Sequence, residues 1–399
     1  MNQDEMFFVS VVTTEPMLRD ALHRLEAQVG NRFAGQPVDL AVVFLSSHFR
    51  GLAAQVQEGL QTMFQPAHLI GCSAEGVIDT QHELEQTPAI VLMLARLPDV
   101  KVTPFSLDRM NWELLLADPV YFKEAIHAPD DTRLFLLFGD PFSAPMEPIL
   151  DSFNTSYPGI PVLGGMASAA MAVGQNALVA DQKVSPVGAV GAALSGNFDL
   201  DLIVSQGCRP IGEPYAVTKA NRNVIYTLEN QPALYRIQEL AEELTQEDQL
   251  LVQRGLLIGR AINPMQERFG RGDFLIRGVL AADHQNGTIT IGGLIEPGEI
   301  VQFHVRDAAT AQEDLEMMLT PQAFRPRADG ALLFTCNGRG TRLYDFEDGD
   351  IHMVQKCLGN VPVAGFFCAG EIGPVGNRNF VHGHTACLAI FRPPHREAE

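Results

Sequence analysis

One pattern recurs three times along the chain, and an internal repeat constrains a fold more than any single element does. Short continuous apolar runs at 40–45, 134–138 and 331–335 have the character of strands buried on both faces. Each leads to a second strand that ends at a corner of small residues, at 68–74, 160–168 and 361–370. The spacing is nearly constant: 32 residues from Asp39 to Gly71, 32 from Thr132 to Gly164, and 35 from Gly330 to Gly365. Between the two strands lie apolar stripes at helical steps: Leu52, Val56, Leu60, Met63 and Phe64; then Met146, Ile149, Leu150 and Phe153; then Ile351, Val354 and Leu358. A further apolar strand follows each corner, at 89–94, 187–194 and 386–391. The expected fold class is α/β, with mixed β-sheets covered by helices. Its unit is strand, helix, strand, loop, strand, with two copies in the first half and one at the C-terminus. Gly71, Gly164 and Gly365 are then expected at equivalent strand ends.

The stretch between the second and third copies follows different rules. Leu234, Ile237, Ala241 and Leu244 share one face of a helix over 231–244, and Pro232 suits its first turn. Strands are expected at 274–281, 287–291 and 300–305, with Asn286-Gly287 as a hairpin turn. A helix over 308–319 turns Ala311, Leu315, Met318 and Leu319 inward. A boundary near Asn221–Asn223 gives two domains, 1–222 and 223–399.

Charge and cysteine usage narrow the function classes. The net charge is −20. A nucleic-acid binder needs a cationic surface and a peripheral membrane binder a basic patch, so neither partner is expected. The acidic start, Met1 to Glu5, lacks the positive region and apolar run of a secretory signal. No uncharged apolar run nears the ~20 residues of a membrane span. Six cysteines, none in a C-x-x-C pair, read as reduced thiols in a cytoplasmic protein.

At its corners and loops the sequence resembles the FIST family of intracellular signal-transduction proteins, over nearly the whole chain. Residues 71–76 resemble the first corner of its N-terminal domain. Residues 224–228 with 232–234, Pro297-Gly298 and 305–307, Cys336-Asn337-Gly338-Arg339-Gly340, and 365–374 before Asn379, His382 and His384 resemble its C-terminal domain. The resemblance implies a sensory protein that binds a small polar ligand such as an amino acid, here as a free-standing bacterial-type member with a signalling protein as possible partner. It also raises interest in Arg306 and Asp307.

Read on their own chemistry, the loops offer a binding cluster. Cys336–Gly340 follows a buried strand, where loops build pockets. Gly338 and Gly340 let backbone amides approach a ligand, and Arg339 carries a fork suited to a carboxylate. Glu371 could receive an ammonium group, so Arg339 and Glu371 together would hold a zwitterion. Asn379, His382, His384, Arg306 and Asp307 complete the expected ligand set. Two histidines are too few for a zinc site, and no phosphate-loop spacing occurs, so no metal or cofactor is expected. The alternatives are a cysteine hydrolase or acyltransferase using Cys336 with His382 or His384, and a ligand-free interaction scaffold. The enzyme reading lacks an orienting third residue and is the weaker one. The acidic run Asp345–Asp350 reads as a solvated turn.

Overall fold

The computed structural model describes residues 5–33, 35–108, 111–266 and 268–394. Met1 to Asp4, used above to judge the N-terminus, lie outside the described residues. The chain forms two compact units: Met1–Val204 with Leu315–Val381 and Thr385–Glu399, and Ser205–Asp314 with His382–His384. This partition differs from a cut at 222/223, because the C-terminal segment packs with the N-terminal half.

The first unit is a mixed α/β structure with six-stranded sheets. Three parallel strand pairs lie at its centre: Leu40–Ser46 with His68–Ala74, Thr132–Gly139 with Val162–Met166, and Gly330–Cys336 with Val363–Cys368. A parallel pair needs a crossover, and helices Ala53–Phe64, Met146–Ser156 and Gly349–Leu358 supply it. Their apolar faces are buried, as the stripes require. Antiparallel strands Ile90–Arg96, Ala189–Gly196 and Thr385–Arg392 flank the first strand of each pair.

Each second strand also receives a strand from elsewhere in the chain. Gly76–Ile78 joins Val363–Cys368, Leu178–Ala180 joins His68–Ala74, and Glu371–Val375 joins Val162–Met166. Gly71, Gly164 and Gly365 lie inside their strands and not at the expected strand ends, where they stand opposite Val43, Leu137 and Leu333. At each glycine a Cβ would overlap the carbonyl oxygen of that opposing residue, so the strands approach too closely for a side chain. One step further along the first strands, Phe44, Phe138 and Phe334 meet in the core. Their rings are 5.5, 5.8 and 6.1 Å apart, close to an equilateral triangle.

The second unit is built on antiparallel pairing. Cys208–Asn221, Ile300–Arg306, Leu256–Ala261, Phe274–Asp283, Thr288–Ile291 and Val224–Leu228 pair in that order, and Val224–Leu228 pairs back onto Cys208–Asn221. The ring closes and encloses Ile211, Val217, Ile225, Ile258, Ile289 and Phe303. Closure leaves these six strands without a free edge. The strands of 208–228 and 256–261 and the helix Gln246–Arg254 were not expected from periodicity. They alternate too weakly, because one face of each is only half-buried.

Candidate functional site

In the first unit, Gly330–Cys336 and Val363–Cys368 run parallel, so the segments after them leave from the same end of the sheet. The Cys336–Gly340 loop and the corner before Glu371 therefore meet, as the zwitterion reading required. What they build is different.

Arg339 is 1% exposed and already has a carboxylate. Its Nε and Nη2 donate to the two oxygens of Asp350, each at 2.7 Å. Nη2 also donates to Tyr344 Oη at 2.8 Å. Asp350 accepts further bonds from the Tyr344 hydroxyl at 2.8 Å and the Thr335 hydroxyl at 2.6 Å. Burial opposes the charge on Asp350, but the Arg339 guanidinium and these donors outweigh it and hold the carboxyl below its ordinary value. The fork offered above to a ligand carboxylate is thus filled by Asp350. That corrects two expectations: Arg339 is not a free bidentate donor, and the acidic run 345–350 ends in a fully buried residue. Only Arg339 Nη1 has no hydrogen-bond partner.

Glu371 is fully buried. Its Oε2 accepts the Thr385 N–H at 3.0 Å and the Thr385 hydroxyl at 2.8 Å. Burial raises its pKa to about 8, against the lowering effect of these bonds, the Arg339 charge and the neighbouring Cys336 thiol. It is therefore a neutral acid at pH 7. Its Oε1 meets no N–H or O–H donor. Cys336 is 7% exposed, and its sulfur accepts the Gly338 N–H at 3.4 Å. The site thus pairs a thiol that hydrogen-bonds the Glu371 carboxyl with one unfilled cationic donor, Arg339 Nη1, and a carboxyl oxygen that no N–H or O–H reaches, all shielded from solvent.

A second carboxylic acid stabilises this loop from below. Glu83 Oε1 accepts the N–H groups of Asp350 and Ile351 at 2.7 and 2.8 Å, capping helix Gly349–Leu358. Burial, then the nearby Asp350 charge, raises Glu83 to about 8. Above the loop, Asn337 and Arg342 reach Glu75. Sequence reasoning missed Thr335, Tyr344, Asp350, Thr385 and Glu83, since none of them falls in a loop motif. The available signal was an arginine six residues before an acidic run.

Asn379 lies elsewhere in the same unit. Its Oδ1 accepts the Val162 N–H at 2.8 Å, and its Nδ2 donates to Asn154 Oδ1 and to the Ile160 carbonyl, each at 3.0 Å. Those bonds fasten the Arg378–His382 strand, so a ligand role for this amide would require breaking them. His382 and His384 belong to the second unit, as do Arg306 and Asp307. Asp307 Oδ2 accepts from Arg209 Nε at 2.9 Å and from the Thr310 hydroxyl at 3.0 Å. Burial pulls its pKa up, but these bonds win and hold it below the ordinary value. Among the described residues no His, Cys, Asp and Glu cluster could hold a metal, and no helix is long and apolar enough to cross a membrane.

Comparisons with known proteins align with this architecture. A family model described as the FIST N domain matches residues 39–231, and one described as the FIST C domain matches 236–374. The chain is 40% identical over 382 residues to an uncharacterized protein of Mycobacterium tuberculosis, covering 95% of this chain and 98% of that one. It is 39% identical over 384 residues to an uncharacterized protein of Mycobacterium bovis, covering 95% and 97%.

Proposed function

We propose, from the premise that this chain belongs to the FIST family, whose domains are associated with signal-transduction sensing, that it senses a small polar metabolite. The binding site is the buried Cys336–Arg339–Glu371 cluster of the first unit. The observation that carries this reading is the coexistence of an unfilled donor, Arg339 Nη1, and a buried carboxyl oxygen, Glu371 Oε1, that no N–H or O–H group reaches. Buried polar atoms without partners are costly, and a bound group that fills both recovers that cost. An amino acid offers the matching groups: one carboxylate oxygen accepts from Nη1, and the ammonium donates to Oε1, with Glu371 ionising as it binds and its proton released to solvent. Asp350 already balances the arginine, so the complex needs no further anion. The output is passed to a signalling protein partner.

The test is a thermal-shift screen of amino acids and small polar metabolites on the wild type and on Glu371→Gln. A ligand that prefers the native state must raise Tm. The amide keeps an oxygen for Thr385 but cannot take up a positive charge, so an ammonium ligand should lose most of its shift in the variant. Equal shifts in both proteins would remove Glu371 from the site.

We infer further that the first unit descends from a triplicated strand–helix–strand–loop–strand element, with the domain division of the ancestral halves near 222/223. Three things support this: the matched registers at Gly71, Gly164 and Gly365, the near-equilateral Phe44–Phe138–Phe334 triangle, and the passing of one strand from each copy to the next sheet. Counting from the glycine partners, Ser46, Asp140 and Cys336 hold matching positions. The thiol occurs only in the third copy, which localises the sensing chemistry there. Transplanting the third-copy helix Gly349–Leu358 would break the Asp350 anchor, whereas exchange of the first-copy helix would leave it intact. A soluble first-copy exchange variant with the wild-type ligand response is the expected result.

A further inference from the structure

Three fastenings hold the loop that carries Cys336: Thr341 donates its N–H and hydroxyl to Glu85 at 2.8 and 3.1 Å, and the other two are unlike each other. The inner fastening is Arg339 on Asp350, both at most 1% exposed. The outer one is a clasp on Glu75. Both terminal nitrogens of Arg342 donate to the Glu75 carboxylate, Nη1 at 3.1 Å. Nη1 also donates to the Asn337 carbonyl at 2.7 Å, and Asn337 Nδ2 donates to Glu75 Oε2 at 3.4 Å. The Glu75 backbone is held in place, since its N–H donates to Ser168 Oγ at 2.8 Å and that hydroxyl donates to the Phe367 carbonyl. Its carboxylate, by contrast, is 35% exposed and the Arg342 side chain 45%. The Cys336 sulfur lies 4.0 Å from Asn337 Oδ1, and the thiol hydrogen-bonds Glu371 in turn.

We propose that Glu75, Arg342 and Asn337 form the gate of the Cys336–Glu371 site, opening by release of the Glu75 clasp while the Arg339–Asp350 anchor stays closed. The energetics set the order of events. An exposed ion pair shifts a population only a few-fold, whereas stripping one partner from a buried pair shifts it by a hundredfold or more. The clasp therefore yields first, and it exposes the thiol without unfolding the loop. The same exposure makes the clasp sensitive to salt, which screens surface charges and leaves buried ones nearly unaffected. The purpose of the gate rests on the ligand reading above. Its existence is testable without any ligand.

The probe is iodoacetamide on the full-length folded protein, with peptide mass spectrometry following each cysteine. Glu75→Gln and Arg342→Ala should each speed alkylation of Cys336 by about two- to fivefold, and the double variant should be no faster than the faster single. The two substitutions remove opposite charges, so their direct effects on thiol acidity have opposite signs. Only gating moves both rates the same way. Raising NaCl to ~0.5 M should speed the wild type at Cys336 and leave the double variant unchanged. Cys72 and Cys368, each fully buried, serve as internal reporters of wider opening and should not change. Unchanged Cys336 rates, or opposite responses in the two single variants, would overturn the gate. So would a flat salt response of the wild type, which decides the matter even if both variants unfold. A faster Cys336 with no hit in the metabolite screen keeps the gate and removes the ligand. A ligand with unaltered alkylation does the reverse.

Discussion

Two arginine–aspartate networks among the described residues, one in each unit, behave differently. Arg339–Asp350 in the first unit is at most 1% exposed. Arg209 in the second unit bridges Asp307 and Asp248, with side chains 28%, 21% and 15% exposed. The residue types are alike, but Arg339 gives two bonds to one carboxylate and Arg209 one bond to each of two. The larger difference is access to water, and with it the cost of breaking the pair. A buried charge left alone cannot be hydrated, whereas an arginine with a quarter of its surface in solvent can. The first network specifies a loop, while the second pins a helix start, with Asp307 Oδ1 accepting the Ala309 N–H at 3.0 Å.

The largest expected effect breaks the buried network. Asp350→Asn should destabilise the protein by about 3–5 kcal/mol, as removing one partner of a buried ion pair does, and Arg339→Lys, which keeps the charge but loses the two-bond fork, should cost less. Urea unfolding measures it, and a loss below 1 kcal/mol would mean the loop is far wetter than its geometry indicates. Arg339→Lys is thus no test of ligand binding, because it removes the fork that Asp350 occupies.

The next effect comes from the buried acids. Glu371 ionises near 4.5 when unfolded and at about 8 in the native protein. Between those values the folded chain holds a proton the unfolded chain has released. Stability contributed by the neutral carboxyl is therefore complete below about pH 4.5 and is lost as pH rises through 8. Glu83, also raised to about 8, acts in the same sense. Tm should fall between pH 5 and 8.5, and Glu371→Gln should flatten that fall by an amount on the order of a few kcal/mol. The Arg209 network has the opposite sign, because Asp307 is held low and its support is lost only in acid. A Tm that rises from pH 5 to 8.5 in the wild type but not in Asp307→Asn would reverse this assignment.

A smaller effect probes the glycines inside the paired strands. Gly365→Ala drives a Cβ into the Leu333 carbonyl and should cost about 1–3 kcal/mol as overpacking. The smallest is Asp307→Asn near neutral pH, about 0.5–1 kcal/mol for a partly exposed pair and cap. A cost as large as that of Asp350→Asn would erase the contrast between the two networks.

Much of the α/β part was legible from residues alone. Continuous apolar runs with glycine corners read as buried parallel strands, and helical stripes identify the crossovers, because both patterns reflect burial within one element. Helix Ala308–Leu319 has the bounds expected from its periodicity. The closed ring of the second unit was only partly legible. Its strands 208–221 and 224–228 are half-exposed, so neither alternation nor continuous apolarity marks them.

The sequence by itself determined which residues could be strands, helices and corners, and that Cys336, Arg339 and Glu371 lie at or just beyond the ends of two strands of one unit. Those properties depend on spacing along the chain and on local burial. Only the tertiary structure decided that Arg339 faces Asp350, that Glu83 caps the helix carrying Asp350, and that Glu75 holds the loop from outside. Glu75 and Arg342 are 267 residues apart, and Glu83 and Asp350 likewise. Partners at that distance leave no periodicity to read. They become neighbours because a hairpin from the first part of the chain completes the sheet of the last, and the chemistry of the site follows from that pairing.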